Sequence, residues 1–143
     1  MEISQMNRRK ATVVVLLLIL LSYAGVAVAQ SNQRIQLAQL QAMFASMRAK
    51  TSWTVDGPLL WGYFFLDPNP SKLRQAASEL ESAGYRLVSV EETKRKGVYR
   101  LHMEKVEIHS PDSLYGRNGE LYALAEKYGI ASYDGMDVGP APK

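Results

Sequence analysis

The stretch that most constrains the fold is an apolar and aromatic run at residues 58–67, Pro-Leu-Leu-Trp-Gly-Tyr-Phe-Phe-Leu-Asp. It begins after a Gly-Pro break and ends before a proline, so it predicts a strand with at least one buried face. Alternation along a strand divides its large side chains into two sets, Leu60, Phe64, Leu66 and Trp61, Tyr63, Phe65. We expect the first set to face the helices and the second set to lie on the opposite face of the sheet.

The first 29 residues have the pattern of an export leader. The basic cluster Arg8-Arg9-Lys10 precedes an apolar run over residues 13–21, and the segment ends in Ala27-Val28-Ala29. These parts predict a signal peptide that is cleaved after Ala29. An uncleaved membrane anchor is the alternative, because residues 11–29 are nearly long enough to span a bilayer. In either case the positive cluster predicts that the folded part lies in the periplasm or on the outer face of the inner membrane.

Composition excludes several function classes. The chain of 143 residues has no cysteine, so a disulfide framework, a thiol nucleophile and a thiolate metal site are excluded. The formal net charge is +3, but the leader contains three basic residues and one acidic residue, which leaves 14 basic and 13 acidic residues in the rest. A nucleic-acid partner is therefore not expected, because such proteins carry a strong basic excess on one face.

The remaining chain divides into elements with clear signals. Residues 30–57 predict an amphipathic helix and a connection, since apolar residues recur at helical spacing. Asn69-Pro70 and Ser110-Pro111 predict the starts of two further helices, which Gly84 and Gly129 end. Alternating segments over residues 85–92, 98–107 and 131–138 predict three more strands, and residues 139–143 predict a flexible tail.

The resulting order, β-α-β-β-α-β over residues 58–138, predicts an α+β fold of the ferredoxin-like type. In this arrangement two helices cover one face of a four-stranded antiparallel sheet and the other face stays bare. We expect the additional amino-terminal helix to lie on the bare face or beside it.

No catalytic site, cofactor site or metal site is expected. His102 and His109 are the only histidines, and their odd separation along an extended segment places them on opposite faces. Asp134 and Asp137 flank a Gly-Met pair, which is more typical of a turn than of an acid and base pair. Phosphate loops and the common hydrolase motifs do not occur.

The segment Leu124-Ala125-Glu126-Lys127-Tyr128-Gly129-Ile130, followed by Tyr133-Asp134-Gly135, resembles the ribonuclease E inhibitor family, regulator of ribonuclease activity B. The resemblance extends with lower specificity over about residues 59–138. It implies a ferredoxin-like, non-enzymatic protein that binds the ribonuclease and inhibits it through protein contacts. Because familiar members are cytoplasmic, the export leader predicts a different, envelope-located partner for this chain.

These observations predict a non-enzymatic protein-binding module whose partner is an envelope protein or a second copy of the chain. The predicted surface combines the second aromatic set with residues of the third strand and of the family motif: Trp61, Tyr63, Phe65, Arg100, His102, Tyr133, Asp134 and Gly135. Two alternatives stay open. One is inhibition of ribonuclease E by a membrane-anchored domain on the cytoplasmic side, and the other is an enzyme that uses Asp134, Asp137 and His102.

Overall fold

The computed structural model describes residues 34–143, and the predicted leader lies outside these residues. The elements are α1 (Leu37–Lys50), β1 (Leu59–Asp67), α2 (Pro70–Ser82), β2 (Arg86–Glu92), β3 (Tyr99–Glu107), α3 (Pro111–Tyr128) and β4 (Ser132–Pro140). From β1 onward the predicted order β-α-β-β-α-β is confirmed. None of the helices between residues 34 and 143 is long and apolar enough to cross a membrane.

The two helices that follow strands begin and end at the predicted signals. The side-chain oxygen of Asn69 accepts a hydrogen bond from the Ser71 amide at 2.9 Å, which caps α2. The Ser110 hydroxyl accepts one from the Ser113 amide at 3.1 Å, which caps α3. At the other end of α3, Gly129 has a φ of 61°, a left-handed conformation that glycine adopts without steric cost.

The four strands form one antiparallel sheet in the order β2-β3-β1-β4, so β2 and β4 are its edges. Strand β4 pairs with β1 as far as Pro140, which lies opposite Leu59. The first two residues of the predicted tail are therefore part of the sheet. A bulge interrupts β4 where the register shifts between Phe64 and Phe65.

A buried carboxylate joins three elements at the end of β1. Asp67 is 3% exposed and accepts hydrogen bonds from the amides of Asn69 at 2.7 Å and Ala131 at 2.8 Å. These two donors lie at the start of α2 and just before β4. Asp67 thus provides hydrogen-bond partners for two part-buried backbone amides at the ends of these elements.

The two faces of β1 are the reverse of the predicted ones. Trp61, Tyr63 and Phe65 point toward the helices and are at most 1% exposed. Their neighbours across β3 confirm this orientation, because Met103 lies opposite Tyr63, Leu101 lies opposite Phe65, and both are fully buried.

The first set, Leu60, Phe64 and Leu66, lies on the opposite face and is only partly buried. The prediction was wrong because both sets are apolar. Alternation determines which residues share a face, but the position of the helices determines which face becomes the core.

The amino-terminal helix also differs from the prediction, since α1 lies in the same layer as the other two helices. Leu40, Phe44 and Met47 are its buried residues, and the Phe44 ring stacks on Trp61 with 6.0 Å between centroids. Helix α1 packs against α3, and Arg34, just before α1, forms an ion pair of 2.7 Å with Glu126. The apolar stripe of α1 therefore completes the core around Trp61.

Candidate functional site on the open face of the sheet

The side of the sheet opposite the helices, which we call the open face, is covered by no helix among residues 34–143. Strand register arranges its residues in rows across the sheet. The rows are Leu60 with Val106 and Gly139; Gly62 with Arg86, Glu104 and Asp137; Phe64 with Ser89, His102 and Gly135; and Leu66 with Glu91, Arg100 and Ser132.

Phe64 is the central aromatic residue of the open face. Its ring stacks on the His102 imidazole with 4.5 Å between centroids and an interplanar angle of 26°. The Arg100 guanidinium lies 5.4 Å from the same ring, within the range of a cation–π contact. Phe64 thus contacts two polar side chains of β3 while part of its surface stays accessible.

The row beside Phe64 contains Gly62, which has no side chain. A Cβ at Gly62 would lie 2.2 Å from Asp137 Oδ1 and 2.9 Å from His102 Nε2, so these two side chains occupy the space above the glycine. Glu104 lies on the other side of Gly62 and forms an ion pair with Arg86. Glycine at this position thus permits an imidazole and a carboxylate to converge on the sheet surface.

Two ionisable side chains beside Gly62, His102 and Asp137, are partly removed from water, and this shifts their pKa values. Burial lowers the pKa of His102, although the nearby Asp137 and Glu104 carboxylates act in the opposite direction. Burial raises the pKa of Asp137, and His102 partly offsets the effect. His102 Nε2 is buried, has no hydrogen-bond partner, and lies 3.6 Å from Glu104 Oε1.

The predicted site residues do not all lie on one surface of the domain. Arg100 and His102 lie on the open face as expected, and Asp134 lies in the β4 bulge with an exposed side chain near Arg100. Gly135 pairs with Phe64 and is buried. Tyr133 is not a surface residue, because it is 6% exposed and donates a hydrogen bond of 2.6 Å to Asn118 on α3.

The predicted aromatic set Trp61, Tyr63 and Phe65 belongs to the core and cannot form a binding surface. Sequence reasoning assigned Phe64 to the core and gave Gly62 no role. The one usable signal was Gly62 itself, because a glycine inside a strand often marks a close approach of other groups.

The two histidines lie on opposite sides of the sheet, as predicted. His102 is on the open face, whereas His109 is 7% exposed and its ring contacts Trp61 edge to face with 5.3 Å between centroids. Residues 34–143 contain no group of three or more His, Asp or Glu residues arranged to bind a metal ion.

A second polar cluster, centred on Glu107, lies at the end of β3 on the helix side of the sheet. Its carboxylate accepts a hydrogen bond of 2.8 Å from the Tyr63 hydroxyl, lies 3.1 Å from His109 Nε2, and forms ion pairs with Arg117 and Lys105. Four members of the cluster, Lys105, Glu107, His109 and Arg117, are among the residues that line a surface groove of about 490 Å³. The cluster links β1, β3 and α3 through buried groups.

The hydrogen bonds of this cluster determine its charge state. Burial acts to raise the pKa of Glu107, but hydrogen bonds from His109, Arg117 and Tyr63 outweigh it and lower the pKa to about 2. Burial raises the pKa of the neighbouring Tyr85 to about 12. Glu107 is therefore a carboxylate at neutral pH with all of its partners inside the domain, which is the behaviour of a structural group rather than of a catalytic acid.

The fold and the open face place this protein among small α+β domains in which one side of the sheet carries the core and the other carries accessible aromatic and charged side chains. The model of the family described as RraB, regulator of ribonuclease activity B, matches residues 37–138. The chain belongs to this family, and the resemblance found in the sequence is confirmed. The match begins at the first residue of α1, so this helix is part of the family domain. A comparison with curated proteins gave no match.

Proposed function

We propose that this protein is a non-catalytic regulator that binds ribonuclease E through the open face of its sheet and limits the activity of the enzyme by protein contacts. The family assignment supports a regulator of a ribonuclease. The observation that carries the choice of surface is the stack of Arg100, Phe64 and His102.

Two physical arguments favour this surface. Aromatic and arginine side chains dominate the binding energy of most protein interfaces, and here they lie together at the centre of an uncovered face. The stacking also restricts the Phe64 side chain before a partner binds, so less conformational entropy is lost on association. Nothing comparable is found for Tyr115 of α3, which is 47% exposed and has no aromatic or cationic neighbour among the described residues.

The direct test is the affinity of the purified protein for ribonuclease E and its effect on RNA cleavage. We expect Phe64→Ala to weaken binding by at least about tenfold and to relieve inhibition in proportion, because it removes the aromatic anchor. Tyr115→Ala is the matched control, since it removes an exposed aromatic ring from the helix side, and its affinity should stay within about twofold of the unmodified protein. Circular dichroism should show that both variants are folded.

Equal affinities for the two variants would reject the open face as the binding surface. Failure of the unmodified protein to bind or inhibit ribonuclease E would reject the proposed partner. A dimer in light scattering that Phe64→Ala dissociates would assign the face to self-association instead.

The leader supports a second candidate, in which the same surface binds an envelope protein in the periplasm. Residues 1–29 have the three parts of a signal peptide, and an uncleaved leader would keep the domain at the outer face of the inner membrane. This location excludes contact with a cytoplasmic ribonuclease, so the two candidates require opposite sides of the membrane.

A reporter fused after Lys143 distinguishes these locations. If the leader exports the domain, a reporter that is active only in the periplasm should give signal, and mass spectrometry should find a chain that begins at Gln30 when the leader is cleaved. Signal from a reporter that is active only in the cytoplasm would exclude export and favour the ribonuclease.

A further inference from the structure

The open face differs in charge from the rest of the domain. Its rows contain two basic and three acidic residues, and Asp134 of the adjoining bulge adds a fourth acid: Arg86, Arg100, Glu91, Glu104, Asp137 and Asp134. The net charge of the open face is therefore −2. Because residues 34–143 together carry 14 basic and 13 acidic side chains, all of these residues outside the open face have a net charge of +3.

The negative charge of the open face is concentrated where it lacks internal partners. Arg86 neutralises Glu104, and Arg100 lies over the Phe64 ring. Asp137, Asp134 and Glu91 form no ion pair with any of residues 34–143. Asp134 and Glu91 are exposed and Asp137 is partly exposed, so these carboxylates are available to an external cation.

Two carboxylates lie close to each other around Gly62. Asp137 and Glu104 extend from the strands on either side of β1, and His102 Nε2 lies with Asp137 in the space above the glycine. The mutual repulsion of the two carboxylates contributes to the raised pKa of Asp137. A cation beside Asp137 would relieve this repulsion, and the apolar ring of Phe64 in the next row would accept the methylene groups of a long side chain.

From this charge distribution we infer that the open face binds a basic segment of a protein, with an arginine or lysine side chain of that segment placed against Asp137 beside Phe64. The inference rests on the proposed function, because it uses the same surface, and it adds the chemistry of the partner. An acidic segment or a nucleic acid does not fit this face, since either would bring negative charge to unpaired carboxylates.

The probe is a fluorescent peptide of alternating arginine and leucine, titrated with the full chain in micelles of a zwitterionic detergent. We expect the peptide to bind, and we expect Asp137→Asn to weaken binding by about tenfold because it removes the unpaired charge. Asp112→Asn is the matched control. Asp112 is also an exposed aspartate but lies in the first turn of α3, on the helix side, so this variant should bind within about twofold of the unmodified chain.

A second peptide, in which uncharged citrulline replaces every arginine, tests whether binding depends on the positive charge of the peptide or on its shape. It should bind the unmodified chain about as weakly as the arginine peptide binds Asp137→Asn. Equal binding of the two peptides, equal effects of the two aspartate variants, or absence of binding would each overturn the inference.

The outcome is distinguishable from that of the proposed function. If Phe64→Ala abolishes ribonuclease E binding while the arginine peptide fails to bind, the open face is the binding surface, but the inferred preference for basic segments is wrong. If the peptide binds through Asp137 and ribonuclease E does not bind at all, the preference of the open face for basic segments is confirmed, but the proposed partner is wrong.

Discussion

Replacing Trp61 by alanine is expected to lower the free energy of unfolding by about 3 to 5 kcal/mol. Trp61 is 1% exposed, stacks on Phe44 of α1 and contacts the edge of the His109 ring. Its removal would leave a cavity between the sheet, α1 and the segment before α3. The cost includes both the lost apolar burial and the cavity that the surroundings cannot fill.

Urea denaturation followed by circular dichroism measures this effect. Two variants serve as comparisons. Phe64→Ala should cost less, since Phe64 lies partly exposed on the open face, and Tyr115→Ala should change stability by no more than about 0.5 kcal/mol. A larger loss for Phe64→Ala than for Trp61→Ala would show that the faces of β1 are assigned the wrong way round.

The second large effect is expected at Glu107 and depends on pH. Its pKa is about 2 in the folded protein, compared with an ordinary value of 4.5, so the folded state favours the carboxylate. A depressed carboxyl pKa contributes stability that is fully present above pH 4.5 and is lost as the pH falls toward 2. The difference in pKa corresponds to at most about 3 kcal/mol.

Glu107→Gln tests this contribution because the amide keeps the size of the side chain and removes its charge. At pH 7 the variant should be less stable than the unmodified protein by at most about 3 kcal/mol, since Arg117 and Lys105 lose their common anion. The difference between the two proteins should shrink as the pH falls from 4.5 toward 2. Chemical denaturation at a series of pH values measures it.

Glu81→Gln is the matched control for this experiment. Glu81 is exposed on α2, and no ion pair joins it to the described residues. Its substitution should change stability by no more than about 0.5 kcal/mol across the same pH range. A difference for Glu107→Gln that does not vary with pH would mean that packing, rather than charge, accounts for the role of Glu107.

Part of the candidate site could be predicted from the sequence. Arg100 and His102 were placed on the open face correctly, because polar residues that alternate with Leu101 and Met103 can only point away from the core. Trp61, Tyr63 and Phe65 were misplaced because β1 has apolar residues on both sides. The importance of Gly62 could not be predicted, because Asp137 and His102 approach it from two other strands.

The sequence by itself determined the elements of this protein and its family. Capping residues, glycine stops and hydrophobic periodicity act over a few residues, so they define α2, α3 and the strands without knowledge of the rest of the chain. The tertiary structure alone decided which face of β1 became the core, where α1 packs, and which charges surround Gly62 and Glu107. These features depend on contacts between residues far apart in the chain, and such contacts exist only when the sheet and the helices have assembled.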